Sequence, residues 1–140
     1  MRDITLKIVG KNNIDEEEET IEFVTEGKLY ERDGSLYIVY DETELLGMPG
    51  CKTSIKIQPG KVKMARFGLN KEKTTEMEFE KGKRYQNKYS TDYGVFSLEL
   101  VTNEMLQDMN YQEGGELLLD YHVSLNGLGD ARNILKVEVI

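Results

Sequence analysis

Five residues have the side chains to form one polar binding site: Glu42, Thr53, Arg66, Tyr89 and Tyr93. A guanidinium and tyrosine hydroxyls can hold the acidic group of a small molecule, and a carboxylate can pair with the guanidinium. These groups act together only if the fold brings them to one end of the molecule. Whether a site exists therefore depends on how the secondary-structure elements position these five residues.

Apolar and polar residues alternate along most of the chain, which predicts β-strands. In SLYIVYDE, for example, Leu36, Ile38 and Tyr40 share one face. About ten such segments follow one another. Helical periodicity is weak, and the best helical candidate, NEMLQDMNYQ, also fits a strand whose apolar face switches near Thr102, which indicates a bulge.

The order of the strands predicts an all-β fold. Consecutive strands with short turns form an antiparallel meander, and a long meander tends to close on itself to remove its edges. An even number of strands lets the last strand (132–140) pair with the first (3–12). We expect residues 1–140 to form one domain, a single antiparallel up-and-down β-barrel of about ten strands with little or no helix. An open two-sheet sandwich is the alternative.

Strand direction assigns each connection to one end of the barrel. Tight glycine-bearing hairpins fall at one end, which we call the tight-turn rim: 27–34, 58–60, 81–83 and 112–115. Longer connections fall at the other end, which we call the long-loop rim: 13–18, 43–50, 69–72, 91–92 and 127–131. Because loops carry function more often than tight turns do, the long-loop rim is the expected mouth.

Strand alternation points Glu42, Thr53 and Arg66 inward at the long-loop rim, where Tyr89 enters and Tyr93 leaves. One interpretation is a ligand anchor inside an apolar barrel. The other is an Arg66–Glu42 ion pair that closes the barrel end without any ligand. An enzyme with Glu42 as general base is not expected, because a carboxyl beside an arginine has a lowered pKa, a poor setting for a base near neutral pH.

The net charge of −8 argues against general binding to nucleic acids and to anionic membrane surfaces. The charge is uneven, with −8 on residues 1–51, +7 on residues 52–88 and −7 on residues 89–140. We expect lysines of the middle block to pair with acidic residues across the sheet. The complementary blocks also leave open a structural barrel with a packed interior that forms a homodimer.

The numbers of cysteine and histidine residues limit the possible cellular compartment and metal chemistry. Cys51 is the only cysteine, and neither a long apolar run nor an apolar segment near the N-terminus is present, so we expect a cytoplasmic protein. His122 is the only histidine and shares a polar strand face with Asp120 and Ser124. A multi-histidine metal site is therefore excluded, and we predict neither a metal nor another cofactor.

The sequence resembles the YwiB-like family of bacterial proteins over nearly its whole length. The runs that carry the resemblance are IEFVTEGKLY, LYIVYDETELLG, KTSIKI, VKMARFG, KYSTDYGVFSLEL and ELLLDYHV. Its sharper marks are Gly27, Tyr40, Glu42, Thr53, Arg66, Gly68, Tyr89 and Gly94. The resemblance implies a domain of unknown function with a calycin-type, lipocalin-like barrel, and it implies no particular activity.

Overall fold

Alternating side chains place the chain in ten β-strands of one antiparallel sheet, as the sequence predicts. The computed structural model describes residues 1–14, 17–41, 51–68, 73–91, 94–126 and 128–140, and these residues contain no helix. The strands are β1 (Arg2–Ile14), β2 (Glu17–Arg32), β3 (Ser35–Asp41), β4 (Lys52–Gln58), β5 (Lys61–Phe67), β6 (Lys73–Phe79), β7 (Arg84–Thr91), β8 (Gly94–Asn110), β9 (Gly114–Leu125) and β10 (Leu128–Val139).

The first and last strands pair with each other. The sheet order is β6-β5-β4-β3-β2-β1-β10-β9-β8-β7. The β1–β10 ladder is antiparallel and runs from Leu6 opposite Val139 to Asn13 opposite Arg132. The predicted pairing of the two ends of the chain is confirmed, and the sheet curls into a nearly closed barrel.

The barrel remains incompletely closed between β6 and β7, which the sequence had predicted to be an ordinary hairpin. The turn at 81–83 does form, but the Gly82 amide donates to the Thr102 carbonyl of β8 at 2.9 Å, so β7 starts displaced from β6. The Tyr85 hydroxyl and the Asn87 side-chain amide both donate to the Glu76 carbonyl, at 3.4 and 3.3 Å. Side chains therefore replace a backbone ladder at this seam in the described part of the chain.

Predicted connections are shorter than expected at both rims. In the predicted connection 13–18, residues 13, 14, 17 and 18 are strand, and in 112–115 β9 already begins at Gly114. Residues 27–32 are strand rather than hairpin, since they pair with β3 from Gly27 opposite Tyr40 onward, and the turn is limited to residues 33–34. At the other rim, β10 already begins at Leu128, with an irregular register before Ala131. Longer strands satisfy more backbone groups in the ladder, which favours pairing over a loop.

The predicted bulge in β8 is confirmed, and NEMLQDMNYQ is strand rather than helix. The register with β9 shifts between Thr102 and Glu104. Before the shift the inner face carries Leu100 and Thr102, and after it the inner face carries Met105 and Gln107. One extra residue therefore keeps apolar side chains pointing inward along all of β8.

The core lies on the inner face of the sheet. Ten of its side chains are at most 1% exposed: Leu6, Leu29, Ile38, Ile55, Val62, Phe79, Leu100, Leu117, Leu119 and Val137. At the tight-turn rim, the Gln107 side chain donates to the Gln58 carbonyl at 2.7 Å and accepts from the Gly60 amide at 3.0 Å. Arg2 donates to the carbonyls of Tyr111 and Gln112, at 2.7 and 2.9 Å. These contacts fasten the turns of this rim to other strands.

The outer face carries ion pairs between neighbouring strands. Lys61 pairs with Glu78, and Lys63 lies 3.9 Å from Glu76. The expected pairing of middle-block lysines with acidic residues across the sheet is confirmed for these pairs. Because the pairs are partly exposed, each contributes at most about 1 kcal/mol.

The Gly115→Ala variant should be destabilised by about 2 kcal/mol or more, because Gly115 has φ +128° and an added Cβ would lie 2.0 Å from the Asp108 carbonyl oxygen. The matched control is Gly10→Ala, where a Cβ would meet no atom within 4 Å. That change should be neutral or slightly stabilising. Urea unfolding of both variants measures the difference, and equal stabilities would contradict this description of the β8–β9 turn.

Acid stability should depend on Asp120. Arg132 donates two hydrogen bonds to its carboxylate, at 3.1 and 2.7 Å, and these hold the pKa of Asp120 below its ordinary 3.8. Because the unfolded chain binds this proton more readily, the stabilisation is present above pH 3.8 and is lost as the pH falls through that value and then through the lower folded-state pKa.

The Asp120→Asn variant should therefore lose about 1 kcal/mol of stability at neutral pH and differ less from the unmodified protein in acid. Denaturant unfolding at about pH 7 and about pH 3 checks this. Asp108→Asn is the control, since the Asp108 side chain is exposed and has no ion-pair partner among the described residues. A stability loss for Asp120→Asn that is equally large at both pH values would argue against the ion pair.

Candidate functional site

A row of register partners crosses the inner face of β2 to β5 near the long-loop rim. Gly27 lies opposite Tyr40, Tyr40 opposite Thr53, and Thr53 opposite Arg66. Neighbouring strands are about 4.8 Å apart, so the side chains of Tyr40, Thr53 and Arg66 stand side by side. We call these three side chains the inner polar row.

The inner polar row is largely removed from solvent. Thr53 is 1% exposed and Tyr40 is 8% exposed, while Arg66 is half-buried. Each of the three already interacts with another group of the chain, as a buried polar group must. The row thus combines two hydroxyls and a guanidinium, a donor set that suits a carboxylate or another small acidic group.

The structure brings together two of the five residues that the sequence predicted for the site. Thr53 and Arg66 are direct register partners, as inward-pointing residues of β4 and β5. Tyr89 lies in β7 opposite Phe96, but its side chain is outside the described part of the structure. Glu42 and Tyr93 also lie outside the described residues, so their predicted roles stay predictions.

Tyr40 is the residue that the sequence analysis missed as a member of the site. The alternation assigns it to the apolar face of β3, after Leu36 and Ile38. The signal that could have found it was the register of the β3–β4 pair. Counting outward from Leu36 opposite Ile57 places Tyr40 beside Thr53.

Beneath the inner polar row the barrel is apolar. Two residues further from the rim, Ile38 lies opposite Ile55, and Ile55 lies opposite Met64. Ile38 and Ile55 have no exposed surface, and Met64 is 9% exposed. An acidic group at the row would therefore lie directly above an apolar floor.

A second polar row lies on the opposite wall of the barrel. Asn12, Asn133, Tyr121 and Thr102 are consecutive register partners across β1, β10, β9 and β8. Burial raises the pKa of Tyr121 to about 12. The Asn12 Oδ1 and Thr102 Oγ1 atoms are buried and make no hydrogen bond within the described structure. Such groups cost about 1–3 kcal/mol each, so this wall is a source of strain rather than of stability.

A groove of about 560 Å³ lies on the outside of the barrel, near the start of β1. Two of its lysines pair with carboxylates, Lys28 with Asp3 at 2.9 Å and Lys52 with Asp41 at 3.9 Å, and Tyr40 lines the groove as well. The hydrogen bond from Lys28 lowers the pKa of Asp3. Because these exposed groups neutralise one another, the groove is a weaker candidate for an acidic ligand than the inner polar row.

The remaining chemical candidates are separate from the inner polar row. His122 is half-exposed on the outer face, with Nδ1 3.2 Å from Asp130 Oδ2 and Arg84 and Ser124 lining the same shallow groove. Within the described ranges, no group of three or more His, Cys, Asp or Glu side chains could hold a metal ion. No helix in the same ranges is long and apolar enough to cross a membrane.

Comparison with known proteins supports the resemblance seen in the sequence. A domain of unknown function, DUF1934, matches residues 6–137. The chain is 30% identical over 121 residues to the uncharacterized β-barrel protein YwiB of Bacillus subtilis (strain 168), covering 86% of this chain and 82% of that protein. The crystal structure of the ywiB protein from Bacillus subtilis has a TM-score of 0.74 with this fold, at 21% identity over 99% of this chain and 92% of that one. The all-β, ten-stranded barrel is therefore shared, and the chain belongs to the DUF1934 family.

Proposed function

We propose that this chain is a single-domain, cytoplasmic barrel that binds a small, acidic and partly apolar molecule at the inner polar row. The observation that carries the proposal is the alignment of Tyr40, Thr53 and Arg66 as neighbours on the inner face, near the end of their strands. In the calycin-type, lipocalin-like barrels that the sequence resembles, the mouth of the barrel is where a ligand enters.

The physical case rests on the environment of Arg66. A half-buried guanidinium interacts with an acidic group more strongly than an exposed one, because less water screens the charges. The Tyr40 and Thr53 hydroxyls supply further hydrogen bonds, and the apolar floor formed by Ile38 and Ile55 accepts an apolar body. No cofactor takes part in this function.

The proposed cytoplasmic location and ligand class agree with the composition. A single cysteine suits a reducing compartment, since the chain cannot form an internal disulfide. A net charge of −8 disfavours nucleic acids and anionic membranes as partners. A small acid is compatible with that charge, because local groups rather than net charge decide binding within a half-buried site.

A second candidate function is a structural barrel that forms a homodimer. One feature of the outer face favours it. Tyr30 and Tyr37 stack with ring centroids 4.9 Å apart, and Lys56 Nζ lies 5.8 Å from the Tyr37 ring. Tyrosines are enriched at protein interfaces, and Lys56 has no carboxylate partner in the described structure. The acidic first block of a second copy would complement this lysine.

The Arg66→Met variant should lose ligand binding while its fold is retained. Thermal-shift and native mass spectrometry screens against short aliphatic and aromatic acids should find ligands that raise the melting temperature of the unmodified protein. Arg66→Met should abolish that shift, because it removes the guanidinium from the inner polar row. Lys56→Met is the matched control, since it removes one cation from the outer face.

Two results would contradict the proposed ligand site. One is a screen in which no acid changes the melting temperature of the unmodified protein. The other is an Arg66→Met protein that binds the same acids equally well. Circular dichroism of each variant separates lost binding from lost fold.

The second candidate predicts a dimer at about 50 mM salt that dissociates at about 500 mM, because exposed charge pairs are screened. Size-exclusion chromatography with light scattering measures the mass at both concentrations. Tyr37→Ala should shift the equilibrium towards the monomer, and Tyr85→Phe, a change at the β6–β7 seam, should not. A monomer at every salt concentration would count against the homodimer.

A further inference from the structure

We propose that the site at the inner polar row is shallow and selects compact acids, whereas long unbranched acyl chains gain nothing from their extra length. This inference rests on the proposed function and specifies its ligand class. Its basis is that three layers of side chains fill the barrel between the inner polar row and the tight-turn rim. The first layer is formed by adjacent strands, and the other two contain contacts between strands that are not neighbours in the sheet.

The first layer lies directly beneath the inner polar row. Ile38, Ile55 and Met64 are register partners on three adjacent strands, two residues further in than Tyr40, Thr53 and Arg66. Two residues of a strand correspond to about 7 Å. Since Ile38 and Ile55 have no exposed surface, their side chains pack against others on every side. A ligand body therefore has about one layer of depth available.

The second layer contains an aromatic contact across the β6–β7 seam. The Phe79 ring of β6 meets the Tyr121 ring of β9 edge to face, with centroids 4.9 Å apart and planes at 73°. Lys81, just after β6, bridges to Thr102 of β8, and Thr102 is the register partner of Tyr121, so the two rings pack together on the inner face beside the seam. Phe79 has no exposed surface, and Tyr121 is half-buried. The inner face is therefore filled by side chains at this level.

The third layer closes the tight-turn rim. Gln107 of β8 donates to the Gln58 carbonyl and accepts from the Gly60 amide, so one side chain bridges β8 and the β4–β5 turn. A ligand tail could pass this end only by breaking both hydrogen bonds. The proposed entrance is therefore at the opposite end of the barrel from this closed rim.

These layers set the size of the ligand. A carboxylate held by Arg66 lies about 7 Å from the floor, so an apolar body that follows it inward is at most the size of a phenyl ring or of a short branched chain. An extended twelve-carbon chain, built from bonds of about 1.5 Å, is roughly twice that length. Its outer carbons would stay in water, where they contribute no binding energy.

The experiment measures dissociation constants for straight-chain carboxylates of four to twelve carbons and for phenylacetate, by calorimetry below micelle-forming concentrations. We expect affinity to rise up to about six carbons and then to stay constant. In a deep cavity each further buried methylene would strengthen binding about fourfold. A fourfold gain per methylene that continues to twelve carbons overturns the inference.

Variants that shorten a side chain of the apolar floor provide a second test of the depth of the site. Ile55→Ala should move the plateau to longer chains, because it removes the side chain beneath Thr53 and leaves a cavity. Met64→Ala tests the same layer if Ile55→Ala fails to fold, since Met64 is already 9% exposed and flexible. Leu117→Ala is the control, because it opens a cavity on β9 and should leave the plateau unchanged. A plateau that neither floor variant moves, or that Leu117→Ala moves equally, overturns the inference.

Failure of the inference can be distinguished from failure of the proposed function. If long acids bind more tightly and Arg66→Met abolishes their binding, the proposed ligand site is supported and the inference that it is shallow is wrong. If no acid of any length binds, both the proposed function and this inference are wrong.

Discussion

The barrel depends on the pairing of β1 with β10. Among the residues that the structure describes, every other ladder joins strands that follow one another in the chain, so each can form locally once its turn is made. Of these ladders, β1–β10 is the one that joins residues far apart in the chain, such as Leu6 and Val139. Closing so long a loop has a high entropic cost, and folding of such a fold is correspondingly slow. Without this ladder the two arms of the sheet would each expose an apolar inner face.

Much of the fold could be predicted from the sequence, because strand alternation and hairpin register are local properties. The bulge near Thr102 and the inward-pointing neighbours Thr53 and Arg66 both follow from counting residues along strands. The open seam could not be predicted in this way. It depends on the Gly82 amide bonding to β8, and sequence alternation contains no information about contacts between strands that are not consecutive. The Phe79–Tyr121 and Gln107–Gln58 contacts were missed for the same reason.

Which neighbours of the inner polar row could be predicted from the sequence depends on how each residue type fits the alternation. Thr53 and Arg66 stand out as polar residues at positions where the alternation demands apolar ones. Tyr40 did not stand out, because a tyrosine ring packs well on an apolar face. Its hydroxyl makes a polar contact only when polar neighbours lie beside it. The partly buried polar wall from Asn12 to Thr102 was missed as well, because Asn12 joins the other three residues only through the β1–β10 ladder.

The two polar rows have different consequences for function. The row of Tyr40, Thr53 and Arg66 lies near the ends of its strands, and its apolar floor keeps it from extending inward. On the opposite wall, Tyr121 packs against Phe79 within the filled layer, and Thr102 has no exposed surface. A ligand that used the second row would have to displace this packing, with a cost of several kcal/mol typical of disrupted cores. At the inner polar row, by contrast, Arg66 is only half-buried, so a ligand can reach its guanidinium without displacing the filled layer, and for that reason we place the proposed function at the mouth of this barrel rather than in its interior.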